Sequence, residues 1–383
     1  MFRVLLALLV WVCGCSFAFA QAALAPVEAR VPFAPEAFVG SDGLMHLAYE
    51  LHITNFYGDT GPLRPLTLKV IADGAGSPLA SWDAGQLAQI VRPAPAEHAP
   101  VSIAAGRRTV FFIWITLPKG MATPHVLRHQ LEFATEKNGH TKLDGALVQV
   151  HAEPVPLLGP PLRGGQWLAH EGPGNAHSHH WGSLVAVNGD LTIPQRYALD
   201  LVGVDAQGHA IKPGVKDEAA PLHASWVGYG ADVLAVADGV VRSARDGQEE
   251  HPALSAQPEP ASLTADGLFG NYVVLELKPG VYASYAHLQR GSVKVKPGDR
   301  VHRGDVLGRL GQSGNSAAPH LHFQLSNAAA FEGSEGIPYA FDHFDVLGPE
   351  TEAQLFGQGD PWQAAPAVHD QAQLPLSDVV IRF

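Results

Sequence analysis

Cysteine is nearly absent from the 383 residues: Cys13 and Cys15 are the only two, and both lie in the first twenty positions. If that segment is removed, the remaining chain cannot form a disulfide. Basic charge is also scarce. Lys and Arg number 25 against 37 Asp and Glu, a formal net charge of −12, which argues against nucleic acid as a partner. Beyond the first twenty residues no long apolar run suggests a transmembrane segment. Regular helical patterns are few, while glycine (40) and proline (30) are plentiful, and that balance favours strands and turns. The length and a hydrophobic fraction of 46% leave room for two domains with sizeable cores. Histidine is abundant at 20 residues.

The opening stretch reads as a targeting segment, residues 1–20. Arg3 supplies a positive start, Leu5 to Val12 an apolar stretch, and Ala18-Phe19-Ala20 an A-x-A cleavage site before Gln21. The expectation is a periplasmic or secreted protein. A competing pattern, Val12-Cys13-Gly14-Cys15, resembles a bacterial lipobox and would make Cys15 a lipid anchor instead.

Residues 27–152 alternate polar and apolar in short runs such as "LMHLAYELHITNF", "RRTVFFIWITLP" and "HQLEFATE", separated by turn signals such as "YGDTGP". This spacing predicts a β-sandwich of immunoglobulin-like size, in which no catalytic constellation is visible. Residues 153–165, "EPVPLLGPPLRGG", have the composition of a linker. A second domain is expected over 166–345, built of β-ribbons joined by glycine turns, with a tail, 346–383, whose "DVVIRF" could add a last strand. The fold class is therefore all-β. The polar, proline-bearing stretch 246–267 is expected to be a surface loop between two strands. "VKPGDRVHRGDVLGRLG" resembles the hairpin of a biotinyl or lipoyl carrier, but Arg303-Gly304-Asp305 at its tip offers no lysine to modify.

The chemistry gathers around "PHLHFQL" (319–325). In a strand, His320, His322 and Gln324 share one face and Leu321, Phe323 and Leu325 the other. The second face reads as core. HxH alone is a weak motif, equally compatible with two solvated histidines. His287 ends the strand "VYASYAH". In "QRYALDLVG", Tyr197, Leu199 and Leu201 take one face, leaving Asp200 on the other; a carboxylate there is costly to bury unless paired or metal-bound. The loop "GNAHSHHWG" holds His177, His179 and His180. One aspartate, one histidine of this loop and one of HxH would form a His₂Asp set suited to Zn²⁺, with an open fourth position.

Four linked segments, "GADVLAVADGVV", "YAHL", "VKPGDRVHRGDVLGRLGQSGNS" and "PHLHFQL", together with "GNYVVLEL", resemble the lysostaphin/LytM-type zinc endopeptidases in order and spacing. That family cleaves peptide bonds of the bacterial cell wall. The resemblance implies a β-ribbon metallopeptidase domain and one zinc per chain. It implies Asp200 and His322 as ligands and His287 and His320 as catalytic groups. There is one departure. The common pattern has its first histidine ligand four residues before the aspartate, where this chain has Arg196, and a guanidinium stays protonated and cannot ligate. A branch of the family uses an "N-x-x-x-H" loop ahead of the aspartate strand. Counting from Asn175, that pattern implies His179, with His180 and His177 as the alternatives.

The function implied is an exported zinc endopeptidase acting on peptidoglycan cross-links or stem peptides. The alternative is a non-catalytic relative that binds and regulates another cell-wall hydrolase. A glutamate base of the H-E-x-x-H kind is absent, so histidines must carry the proton. The N-terminal region could bind the wall, dock on a partner or cover the active-site groove as an inhibitor.

Overall fold

Period-two alternation builds the first half of the chain. In the strand Met45–Asn55, Leu47, Tyr49, Leu51 and Ile53 turn to one side and are buried there, as successive strand residues point to opposite faces. This strand pairs with Arg107–Thr116 over its whole length and with Val27–Arg30 and Phe38–Val39, and Val91–Arg92 completes the sheet. A second sheet runs in the order Ala23–Leu24, His140–Gln149, Val126–Thr135, Leu63–Ala72, Ala80–Asp83. Leu68, Val70, Leu127, Leu131 and Phe133 from this sheet meet the first sheet's apolar face in one core. Two sheets burying one face each against the other make a sandwich.

The computed structural model describes residues 23–97, 99–136, 139–215, 219–255, 262 and 264–383. The proposed targeting segment, with its alternative anchor Cys15, lies outside the described residues, as does part of the stretch 246–267. Among the described residues no helix is long and apolar enough to cross a membrane.

The second half is organised by a ten-stranded sheet whose neighbours are all antiparallel. Its order is Arg300–Val301, Gly239–Arg245, Tyr272–Lys278, Val281–Ala286, Leu321–Ser326, Leu199–Val204, Gln166–His170, Val379–Arg382, Phe344–Pro349, Val368–Asp370. The strand Val379–Arg382, drawn from the last residues of the chain, thus lies inside the sheet, between Gln166–His170 and Phe344–Pro349. Leu199, Leu201, Leu321, Phe323, Leu325 and Tyr285 fill a core on one face. Leu168, Val202 and Val380 fill another with Trp226, Leu347, Leu355 and Trp362.

The stretch read as a linker packs rather than hanging free. Leu157–Leu158 pairs in parallel with Ala340–Phe341, and Leu158 and Leu162 are fully buried. The larger core also takes in Ala48, Val110 and Phe112 from the outer face of the first sandwich. The two halves therefore share apolar packing.

Candidate metal centre

Sheet register brings the key side chains together before any loop is considered. Asp200 lies directly opposite His322 on the neighbouring strand and opposite His170 on the other side. Ala286 also pairs with His322, so His287 emerges one residue beyond, at the strand end. There His287 takes a left-handed backbone, φ 62°, a conformation that costs energy in a residue with a Cβ and collects at functional sites. Its amide is held by the Phe269 carbonyl at 2.8 Å. Behind it the chain crosses itself so tightly that a Cβ on Gly270 (φ 69°) would stand 2.4 Å from the Ser313 carbonyl carbon; only glycine fits there.

Three imidazole nitrogens converge on one carboxylate oxygen. His322 Nδ1 is 3.0 Å from Asp200 Oδ1, His320 Nε2 3.3 Å and His180 Nε2 3.4 Å. All four residues are buried. The remaining hydrogen bonds fix the tautomers, because a carbonyl oxygen can only accept. His180 Nδ1 donates to the Glu171 carbonyl at 3.0 Å, and His320 Nδ1 to the Ala318 carbonyl at 2.7 Å. His322 Nε2 donates to Gln324 Oε1 at 2.8 Å, and the Gln324 amide is oriented by its own bond to the Pro194 carbonyl. Each ring therefore turns an unprotonated nitrogen toward Asp200. His180 Nε2 and His320 Nε2 have no hydrogen-bond partner despite complete burial. Lone pairs gathered around a buried carboxylate repel one another unless a cation or protons stand between them. The donor set, two or three imidazoles and one carboxylate, fits Zn²⁺.

Burial works to raise the Asp200 carboxyl, and positive charge on the facing His320 and His180 rings would hold it well below the usual carboxylate range, the same effect a cation between them would have. Burial pushes His180 down to about 4, against the pull of Asp200. Burial, reinforced by His320 and His322, also holds His287 well below the usual imidazole range. His287 Nδ1 donates to the Ser313 carbonyl at 2.8 Å, so its Nε2 is a lone pair too. The His287 ring centre lies 4.8 Å from that of His320 and 5.8 Å from that of His322.

The loop histidines divide by orientation. His177 is exposed and lies away from this group, beside the 84–100 segment. His179 has a nitrogen within 4.8 Å of the Asp200 and His180 donor atoms. Its side chain is nonetheless 63% exposed, and Nδ1 faces Glu171 Oε2 at 3.3 Å. His180 is turned inward, its ring 4.8 Å from that of His322. Asn175-to-histidine spacing pointed to His179, but the chain after Ser178 enters a single helical turn, His179–Gly182. Within one turn, consecutive side chains diverge by about 100°, so one histidine faces in and the other out. Arg196 is remote from metal chemistry: it lies buried between Glu50 and Glu335.

Two supports carried no signal in the sequence. The Glu171 carbonyl orients His180 and accepts from Ser178 Oγ at 2.7 Å. Asp378, near the chain end, holds His170 Nδ1 at 2.8 Å. Gln324 could have been found, since it shares the face of the HxH pair. The group opens into a cleft of about 490 Å³ with a mainly apolar wall that includes Leu254, Leu268, Phe269, Phe331 and Phe356. No residue of the N-terminal sandwich lines this cleft among the described residues, so the structure gives no sign of that sandwich covering the groove.

Residues 226–332 match peptidase family M23. That segment contains His287, His320 and His322 but not Asp200 or the loop histidines. The glycyl-glycine endopeptidase ALE-1 of Staphylococcus capitis is 48% identical over 56 residues, 14% of this chain and 15% of that protein. The peptidoglycan DD-endopeptidase ShyC of Vibrio cholerae is 42% identical over 56 residues, 15% and 12% of the two chains. Lysostaphin of Staphylococcus simulans is 46% identical over 56 residues, 14% and 11%. The alignments span less than a sixth of each of these relatives.

Proposed function

We propose, from the match of residues 226–332 to peptidase family M23 and the similarity to lysostaphin-type relatives, that the chain is a zinc-dependent endopeptidase of peptidoglycan peptides. The observation that carries this reading is the convergence of unprotonated His180, His320 and His322 nitrogens on Asp200 Oδ1. Asp200, His322 Nδ1 and His180 Nε2 would hold the metal, with His180 in the loop position that spacing had given to His179. Bound there, zinc supplies a Lewis acid and brings the pKa of a water ligand toward neutrality.

The chain's own groups account for the rest. His287 and His320 each start with a protonated Nδ1 tied to a carbonyl and a free Nε2. Either can therefore accept a proton from the attacking water, and the imidazolium that results can return it to the leaving amine. Burial keeps His287 neutral, so its Nε2 lone pair is unprotonated before the reaction. The carbonyl anchors prevent the rings from flipping, so no reorganisation is needed at the moment of transfer.

The names of the relatives, a glycyl-glycine endopeptidase and a DD-endopeptidase, support peptidoglycan as substrate class. A purely binding role is not favoured, because every position of the metal and proton-transfer set is filled and opens to a cleft. The A-x-A site at Ala18-Phe19-Ala20 supports export, with lipidation at Cys15 as the alternative. The test is mass spectrometry of muropeptides after incubation with the mature protein. New amine termini within cross-links or stem peptides are expected, and an unchanged muropeptide profile with zinc-loaded protein would exclude the hydrolase.

A further inference from the structure

The outer face of the N-terminal sandwich carries a buried charge. On the strand Met45–Asn55, Glu50 points away from its own core and is 3% exposed. Its carboxylate is shared by two residues of the second half. Trp181 Nε1 donates to Glu50 Oε1 at 2.6 Å, and Arg196 Nε donates to the same oxygen at 3.0 Å. Arg196 closes the fork on Glu50 Oε2 and reaches Glu335 with its other nitrogen. Trp181 immediately follows His180, and Arg196 stands four residues before Asp200. One side chain of the sandwich thus touches the neighbours of two residues of the metal centre.

Three further contacts grip the same loop. Arg92 Nη2 donates to the Ala176 carbonyl at 3.1 Å. The Trp181 ring packs edge-on against Phe112 at 5.7 Å and Trp114 at 6.0 Å. The loop needs such support. Its only regular structure is the four-residue turn His179–Gly182, far below the length at which a helix sustains itself. On the inner side it is held through the Glu171 carbonyl.

We infer that the N-terminal sandwich is the positioning scaffold of the metal-binding loop, with Glu50 acting through Trp181 on His180 and through Arg196 on the Asp200 strand. This rests on the zinc reading above and gives the sandwich a role within the site. It also accounts for the chain's departure from the common family pattern. The position four residues before the aspartate, which elsewhere carries a histidine ligand, here lies in the turn ahead of the strand Leu199–Val204 and carries the cation that ties the two halves together, while the ligand lies on a loop that those same contacts hold. Glu50 and Trp181 are positioning residues, since neither reaches the donor atoms.

The test uses the full mature chain with Trp181→Phe, which removes the indole N–H and part of the ring volume but keeps an aromatic body, and with Glu50→Gln. Zinc affinity is read by chelator competition and loop mobility by amide exchange of residues 176–182 in metal-free protein. Outer groups that orient a ligand are worth roughly 10- to 100-fold in metal affinity. A loss in that range is expected for both variants, with loop exchange in Trp181→Phe accelerated by more than the accompanying fall in its global unfolding midpoint accounts for. If Glu50→Gln does not fold, Trp181→Phe decides. A folded Trp181→Phe protein with wild-type zinc affinity and wild-type loop exchange overturns the scaffold role. Wild-type protein that takes up no zinc overturns the metal reading instead, and the loop exchange of the metal-free variants still decides the scaffold.

Discussion

Replacing His180 by alanine removes an imidazole whose Nε2 stands 3.4 Å from Asp200 Oδ1 and whose burial is complete. The backbone pays little for this change, because the Glu171 carbonyl keeps its bond from Ser178 Oγ. The loss therefore falls on the metal. Structural zinc sites are worth about 10–16 kcal/mol at neutral pH over four ligands, or roughly 3 kcal/mol per ligand. At about 1.4 kcal/mol per decade that is roughly a hundredfold weaker zinc. His179→Ala removes an exposed ring whose partner is Glu171, an interaction worth about 0–1 kcal/mol, so zinc affinity should stay within a few-fold of wild type. Competition against a chromophoric chelator at pH 7.5 separates the two. A His179→Ala protein that loses the metal while His180→Ala keeps it would refute the assignment and place the loop ligand one residue earlier.

His287→Ala and His320→Ala should each keep zinc and lose roughly 10²- to 10⁴-fold in kcat, the usual contribution of a positioned proton carrier; near wild-type turnover in either would return that histidine to a supporting role. Arg196→Met strands Glu50 and Glu335 in a buried site, and breaking such a pair costs about 3–5 kcal/mol, read as a lowered urea midpoint. Burial already pushes Glu335 up to about 7 against the pull of Arg196. A carboxyl with a raised folded pKa favours the folded state at low pH and loses that contribution as pH rises. The deficit of Arg196→Met should accordingly be smaller at pH 5 than at pH 8, and a pH-independent deficit would count against the buried-charge account. Intact-mass measurement of exported protein should find Gln21 at the N-terminus, whereas an acylated Cys15 would make it a lipoprotein.

Much of this site could be read from residue order alone. Alternation placed His320, His322 and Gln324 on one face of a strand, and Asp200 on the face opposite Leu199 and Leu201 in another, because strand geometry is local and has period two. Apolar residues between them declared the opposite face as core, which Leu321, Phe323 and Leu325 are. Choosing among His177, His179 and His180 was beyond that logic, since a loop has no period, and the choice depends on a single helical turn docked against the Glu171 carbonyl. The partners of Arg196 were equally hidden. Glu50 lies 146 positions earlier in the chain, on a strand whose inward residues proclaim a sandwich core and whose outward carboxylate looks like an ordinary solvent-facing group. Sequence alone determined which residues could bind a metal and carry a proton. Only the tertiary structure decided which of them meet, because burial and mutual distance arise from packing between segments that local geometry leaves independent.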